Sequence, residues 1–261
     1  MIEQPSTKPA RKWSALRKFY ETAADGDAGA FPRYELQLEQ LRSLAGQLPP
    51  SPRFLDLGCA SGAWSERVAA TLGASSVVGV DLSTKALRGA SERGIQAVFA
   101  SVDGVVLPFR SGSFDVVMLD EVIEHLVDTD GIIEEIHRVL QPDGVLVLST
   151  PNLAAWFNRI GLLVGLQPAF TEVAYSGVYG RPGDEVVGHL RLFTWRALRE
   201  FLGAHDFAIV SVKGAPFHGL PRLAHPLDRL ATRSPSVAAD LLVVARPEGL
   251  RSPGATSRGT I

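Results

Sequence analysis

A chain of 261 residues with 46% hydrophobic side chains is long enough for one α/β domain with additions, or for two very small ones. Its formal net charge of −2, from 26 basic and 28 acidic residues, offers no surface built for a polyphosphate backbone and counts against a nucleic-acid partner. One cysteine excludes an intrachain disulfide and a cysteine-rich metal site.

Residues 1–10, rich in Pro, Ser, Thr and Lys, read as disordered. The basic residues around them precede no apolar core, so the segment does not read as a secretory leader. A short amphipathic helix is expected from Trp13 to Tyr20. Another follows from Tyr34 to Leu48, with Leu36, Leu38, Leu41, Leu44 and Leu48 near helical spacing, and PPSP at 49–52 stops it. Strands and helices then alternate: RFLDLG, AWSERVAATLG, SVVGVDLS, TKALRGASERG, IQAVFASVD, SFDVVMLDEV, DTDGIIEEIHRVLQPDG and VLVLSTPN. Near-continuous apolar strands in such alternation predict a parallel sheet covered on both faces.

That rhythm breaks at about 153–192, where an apolar helix precedes a Gly- and Tyr-rich stretch without a period. An insertion of this size reads as a lid or substrate-binding element. FTWRALREFLGAHDF is a helix capped by Thr194, FAIVSVKG a strand, and DLLVVARP the final strand. No stretch holds the roughly 20 apolar residues needed to cross a bilayer, so a cytoplasmic location is expected. The predicted organisation is a helical cap over 1–50, a core over 51–247 that carries the insertion, and a disordered tail over 248–261.

FLDLGCASG, at 54–62, delivers Asp56 into a turn of small residues that opens a helix. Glycines there let a ligand approach bare backbone, and the helix start offers unpaired N–H groups. The next strand ends at Asp81. An acid after the second strand and a small-residue turn after the first describe a nucleoside pocket at the carboxyl edge of a parallel sheet. The spacing is not the G-x-G-x-x-G of dinucleotide enzymes, which argues against an NAD-dependent dehydrogenase. Cys59 reads as a buried filler.

LDLGCASG, VVGVDLS, SVDGVVLPFRSGSFDVV, DEVIEHL and VLQPDGVLVLSTPN together resemble, in order, the segments of the class I S-adenosylmethionine-dependent methyltransferases. The resemblance implies a doubly wound α/β fold: a seven-stranded, mostly parallel, Rossmann-like sheet whose last strand is antiparallel. It implies S-adenosylmethionine as cofactor. Gly58 and Gly62 would let the backbone pass the methionine and ribose, and Asp56 would orient the turn or meet the amino group. Asp81 would accept both ribose hydroxyls, Asp103 the adenine amine beside Gly104, and Leu82 would pack on the adenine. Ala60 departs from the family, which places glycine there.

If DEVIEHL is helical, Glu121, Glu124 and His125 share a face. Three roles are open. They brace the cleft wall; or His125 takes a proton from a substrate hydroxyl, oriented by Glu121 or Glu124; or Glu121, Glu124, His125 and His189 hold magnesium, manganese or zinc. The E-x-x-E-H pattern resembles ubiquinone-pathway O-methyltransferases and metal-dependent small-RNA 2′-O-methyltransferases. Catalysis by His125, Glu121 and Glu124 without a metal is the expectation carried forward. Trp13, Phe19 and Tyr20, with Trp156, Phe157, Phe170, Tyr175 and Tyr179, suggest a hydrophobic or ring-bearing acceptor, and Arg159, Arg181 and Arg191 an anionic group. The expected activity is methyl transfer to a small-molecule oxygen. Its alternatives are RNA 2′-O-methylation and a non-catalytic S-adenosylmethionine-binding protein.

Overall fold

The computed structural model describes residues 32–174, 176–183, 186–217 and 219–249. The helix expected at Trp13–Tyr20, with Phe19 and Tyr20, the disorder expected over 1–10 and most of the tail, and Tyr175 lie outside the described residues.

Helix α1 (Pro32–Leu44) opens on proline, whose fixed φ suits the first helical turn, and buries Leu38, Leu41 and Leu44. Strands β1 (Arg53–Leu57), β2 (Ser76–Asp81), β3 (Gln96–Phe99), β4 (Phe114–Asp120) and β5 (Leu140–Pro151) alternate with α2 (Ala63–Leu72), α3 (Thr84–Glu92) and α4 (Thr129–Val139). After β5 come α5 (Trp156–Leu163), α6 (Trp195–Ala204), β6 (Phe207–Ala215), α7 (His225–Ala231) and β7 (Asp240–Pro247). The strand order is β3-β2-β1-β4-β5-β7-β6. β1 to β5 pair in parallel, and β7 runs antiparallel to both β5 and β6. Side-chain oxygens of Ser83, Asp128 and Thr194 accept from the first turns of α3, α4 and α6, so the expected cap at Thr194 is present.

Alternation along each strand sorts the core. Val116 and Met118 of β4 face α1 and α2, packing with Leu41, Phe54, Trp64 and Val68. Val117 and Leu119 face α4 and α6, packing with Ile132, Ile136, Leu198 and Leu202. Full burial of each such side chain is worth about 1.5–3 kcal/mol, so the two layers hold the sheet from both sides. Parity matters for function: Asp56 follows Phe54, and Asp120 follows Met118, onto the α1–α2 face. The chain leaves β1 toward β2 and β3, then returns to β4 on β1's other side. A crevice opens at that reversal, outside the carboxyl ends of β1 and β4.

Three expected elements differ. DEVIEHL is not an α-helix: β4 runs to Asp120, Glu121 takes φ 54°, and a 3₁₀ turn covers Ile123–His125. Strand spacing continues to the last residue of β4, so the shared helical face does not form. Helix α4 stops at Val139, and Leu140 already pairs with Phe114, so the Pro-Asp-Gly stretch lies within β5. The apolar helix after β5 spans only Trp156–Leu163.

Candidate functional site

The turn after β1 is stitched to β2: Gly58 N–H and Cys59 N–H both donate to the Val80 carbonyl, at 2.8 and 3.1 Å. Gly58 has φ 87°, and a Cβ there would lie 2.5 Å from Val122 Cγ2. Gly62 has φ 76°, but its missing Cβ would strike Ile95 Cδ1 at 2.5 Å and Ala90 Cα at 3.0 Å. Gly62 is thus demanded by the packing of protein on protein. Ala60 adopts φ 46°, a left-handed conformation that glycine takes without strain. Cys59 is buried with Leu87, Ala90 and Ile95.

Asp81 ends β2 with its carboxylate bridging two elements, Oδ2 accepting from Ala60 N–H at 3.0 Å and Oδ1 from Ser83 N–H at 2.7 Å. Asp56 is buried and accepts from the Ser65 hydroxyl at 2.5 Å. Burial pushes its carboxyl up to about 7, outweighing that hydrogen bond, and the charges of Asp120 and Asp81 add to the rise. Leu82 is exposed beyond the strand end. Gly104 has φ 65° with open space where a side chain would be. Asp103 accepts from Val127 N–H and Asp128 N–H, which fastens the segment after the 3₁₀ turn to the loop after β3. Oδ1 carries two of these bonds and Oδ2 one, so Oδ2 keeps acceptor capacity.

A cleft of about 580 Å³, part of it open to solvent, lies beside the turn. Of the expected cofactor residues, Asp56 and Gly58 line it; Gly62, Asp81, Leu82, Asp103 and Gly104 do not. Arg33, Tyr34, Trp64 and Asp120 also line it, and none of these was singled out from the sequence. Asp120 was within reach of an alternation argument, because it shares a strand face with Met118. Arg33 carried no local sign; only the fold brings it from α1 to the end of β4. It donates to Glu121 Oε2 at 3.1 Å. Burial would lower its pKa, yet Glu121, Asp120 and Asp240 outweigh that and hold the guanidinium above its ordinary value.

Glu121 and Glu124 part company. Glu121 Oε1 lies 2.7 Å from Ser149 Oγ, which also lies 2.6 Å from Asp120 Oδ1. One hydroxyl proton cannot serve both acceptors at once, so Ser149 ties the two carboxyl groups together by donating to either. Burial raises Glu121, against the pull of Arg33.

Glu124 is fully buried, and burial with the Glu121 charge holds it well above the ordinary carboxylate range. Its Oε2 accepts from Thr150 Oγ1 at 3.1 Å, while Oε1 is buried with no hydrogen-bond partner among the described residues. That Oε1 lies 3.9 Å from His125 Nε2 and 4.0 Å from His189 Nε2. His125 Nδ1 faces the Gly188 carbonyl at 3.3 Å, and His189 Nδ1 faces the Phe170 carbonyl at 3.0 Å. A carbonyl only accepts, so each Nδ1 carries hydrogen. Burial lowers both imidazoles, His189 to about 4 with help from the neighbouring His125, so both are neutral near pH 7. Their Nε2 lone pairs then turn toward the glutamate oxygen. One donor atom from each of Glu124, His125 and His189 lies within 4.8 Å of the others. Glu121 is outside this group, which separates it from the other expected ligands.

Trp156, Phe157 and Phe170 of the insertion pack on one another. Phe170 lies 6.2 Å from Phe157 and 5.1 Å from Phe217, a residue the sequence reading passed over. Trp156 donates its indole N–H to Asp228. Tyr179 is exposed. The three arginines have partners within the protein: Arg159 donates to the Ala154 and Ser236 carbonyls, Arg181 to that of Pro182, and Arg191 to that of Val127.

A doubly wound sheet with a small-residue turn after β1, an acid after β2 and a cleft at the β1–β4 reversal defines a Rossmann-like, nucleoside-binding class of protein. Residues 55–148 match the family model described as a methyltransferase domain. The chain is 34% identical over 219 residues to a ubiquinone biosynthesis O-methyltransferase of Burkholderia ambifaria (strain MC40-6), covering 78% of this chain and 86% of that one. It is 28% identical over 228 residues to the 27-O-demethylrifamycin SV methyltransferase of Amycolatopsis mediterranei (strain S699), covering 78% and 82%. The chain belongs to the S-adenosylmethionine-dependent methyltransferases. Its fold is shared with the 1,6-didemethyltoxoflavin-N1-methyltransferase of Burkholderia thailandensis, solved with S-adenosylhomocysteine, at TM-score 0.57 and 17% identity over 95% of this chain and 94% of that one.

Proposed function

We propose that this enzyme methylates an oxygen of a small-molecule acceptor and that the Glu124–His125–His189 cluster handles the proton of that oxygen. The carrying observation is the pair of imidazole Nε2 atoms at 3.9 and 4.0 Å from one buried carboxyl oxygen of Glu124. Bound S-adenosylmethionine supplies an electrophilic methyl group, and the protein's share is positioning and proton removal. Asp81 accepts the ribose hydroxyls, Asp103 Oδ2 the adenine amine beside Gly104, and Leu82 covers the ring. Asp56 meets the amino group at the methionine end and Arg33 the carboxylate. Gly58 keeps the turn open to the ligand, while Gly62 seats it against α3. His125, neutral and held by its Nδ1–H, takes the acceptor proton on Nε2. Glu124 lies beside that ring, and Glu121 braces Arg33. The names of the two curated relatives, both O-methyltransferases, support oxygen. The phenylalanines around Phe170 support a ring-bearing or hydrophobic acceptor. A cytoplasmic location belongs to the proposal; among the described residues no helix is long and apolar enough to cross a membrane.

The unpartnered Glu124 Oε1 favours a second form of the same reading, in which Glu124, His125 and His189 hold a divalent ion that lowers the acceptor's pKa. Methyl transfer from labelled S-adenosylmethionine to a panel of phenols and hydroquinones tests both. Turnover that survives EDTA and falls at least a hundredfold in His125→Asn supports the base. Turnover lost with EDTA and restored by magnesium, manganese or zinc supports the ion. Transfer to RNA alone, or binding without any turnover, would sink the small-molecule reading.

A further inference from the structure

We infer that Glu172, in the segment after β5, is a positioning residue that fixes the tautomers of His125 and His189. The inference rests on the cluster being the acceptor-activating centre. Glu172 Oε1 accepts from Val187 N–H at 3.1 Å and Oε2 from His189 N–H at 2.9 Å. The two oxygens thus pinch the backbone on either side of Gly188, which takes φ 78°. Held this way, Gly188 presents its carbonyl to His125 Nδ1. Next along the chain, Leu190 N–H and Arg191 N–H both donate to the Glu124 carbonyl, at 2.7 and 2.9 Å. Two residues before Glu172, Phe170 sits at φ 70°, a strained conformation for a bulky residue, and its carbonyl meets His189 Nδ1. Phe170 and residues 188–191 therefore touch all three members of the cluster, and one carboxylate lies between them.

The chemistry requires a carboxylate of this length. Two backbone N–H groups flank one residue, and only a side chain with two acceptor oxygens satisfies both. Glutamine keeps one acceptor and turns an N–H₂ against the second donor. Arg181 approaches only to 3.9 Å, so the backbone bonds are the main engagement of Glu172. With Glu172 neutralised, Gly188 is released, His125 Nδ1 loses its acceptor, and the hydrogen is free to move to Nε2. A ring carrying hydrogen on Nε2 offers the centre no lone pair.

Long-range ¹H–¹⁵N correlation spectra of the imidazole rings read this directly, with His125→Asn and His189→Asn supplying assignments. Both rings of the natural protein should carry hydrogen on Nδ1 at pH 7.5. Glu172→Gln should move His125, His189 or both toward the Nε2–H form, while S-adenosylhomocysteine affinity stays within about twofold. Once an acceptor is in hand, kcat should fall about 10–100-fold at unchanged KM for S-adenosylmethionine, as for other residues that orient a reacting imidazole. Glu172→Asp, with the charge restored at shorter reach, should recover part of it. Nε2–H rings in the natural protein overturn the inference, and that reading stands even if Glu172→Gln fails to fold. So do unchanged tautomers in a folded Glu172→Gln, or a parallel loss of cofactor affinity. A tautomer shift in Glu172→Gln together with full turnover in His125→Asn would leave Glu172's role standing and remove the proposed role of the cluster.

Discussion

Ala60 and Asp56 carry the site's tension at the scale of single residues. Ala60 sits at φ 46°, where an L-residue with a Cβ is strained by about 1 kcal/mol relative to glycine. Ala60→Gly should raise the unfolding free energy in urea by about 1 kcal/mol and tighten S-adenosylhomocysteine, read by calorimetry. Asp56 yields a pH prediction. Its folded-state pKa is raised from 3.8 to about 7, so it holds a proton below about pH 7. A cationic amino group at the cleft favours the carboxylate, so binding must release that proton. Apparent affinity should therefore weaken as pH falls from 7 to 5, by up to about tenfold per unit, and Asp56→Asn should flatten the profile. The same shift bears on stability. A raised pKa stabilises the fold below the unfolded value and is lost as pH rises through 7, so Asp56→Asn should remove a pH-dependent loss of about 4 kcal/mol between pH 4 and pH 8. Asp56, Gly58 and Asp81 were legible because each ends or follows an apolar run. Arg33 and Ser149 were not, because their importance comes from a meeting of α1, β4 and β5 that no local pattern encodes.

At the scale of elements, the turn after β1 shows how two glycines in one motif answer different demands. Gly62→Ala drives a Cβ to 3.0 Å from the Ala90 Cα of α3, where backbone must move. With the left-handed strain added, the expected loss is about 2–4 kcal/mol, seen as a lower urea midpoint at unchanged m-value. Apolar runs made the strands readable, and β7 falls on the residues expected, Asp240–Pro247. The condition set for DEVIEHL, a helix, is not met, because three-and-four spacing looks helical whatever the backbone does. The continuing strand and the turn at Glu121 send Glu121 toward Arg33 and Glu124 toward the two histidines. His189 was named through the likeness of GHLRLFTWRALREF to the metal-dependent RNA enzymes. Its partner Glu172 was not, since a carboxylate that holds backbone looks in sequence like any solvated acid.

For the molecule as a whole, ligand binding at the β1–β4 reversal should couple to the entire sheet. S-adenosylhomocysteine at a hundred times its Kd should add about 2.7 kcal/mol to the unfolding free energy. Hydrogen exchange should slow most at 58–62, 81–83 and 103–107 and least at the outer strand β6. Equal slowing everywhere would mean global stabilisation without a local footprint.

The insertion of β7 between β5 and β6 also has a consequence for biosynthesis. As the chain emerges from the ribosome, β6 is complete before the strand that ties it to the sheet exists. Until Asp240–Pro247 appears, β5 presents a bare edge of unpaired backbone, and β6 has no strand to pair with. The Gln40 contact to the Leu242 carbonyl, 202 residues apart, closes only then as well. Messages or proteolysis that end the chain before β7 should yield sticky fragments with an incomplete sheet. Full-length synthesis is thus the step that arms the enzyme.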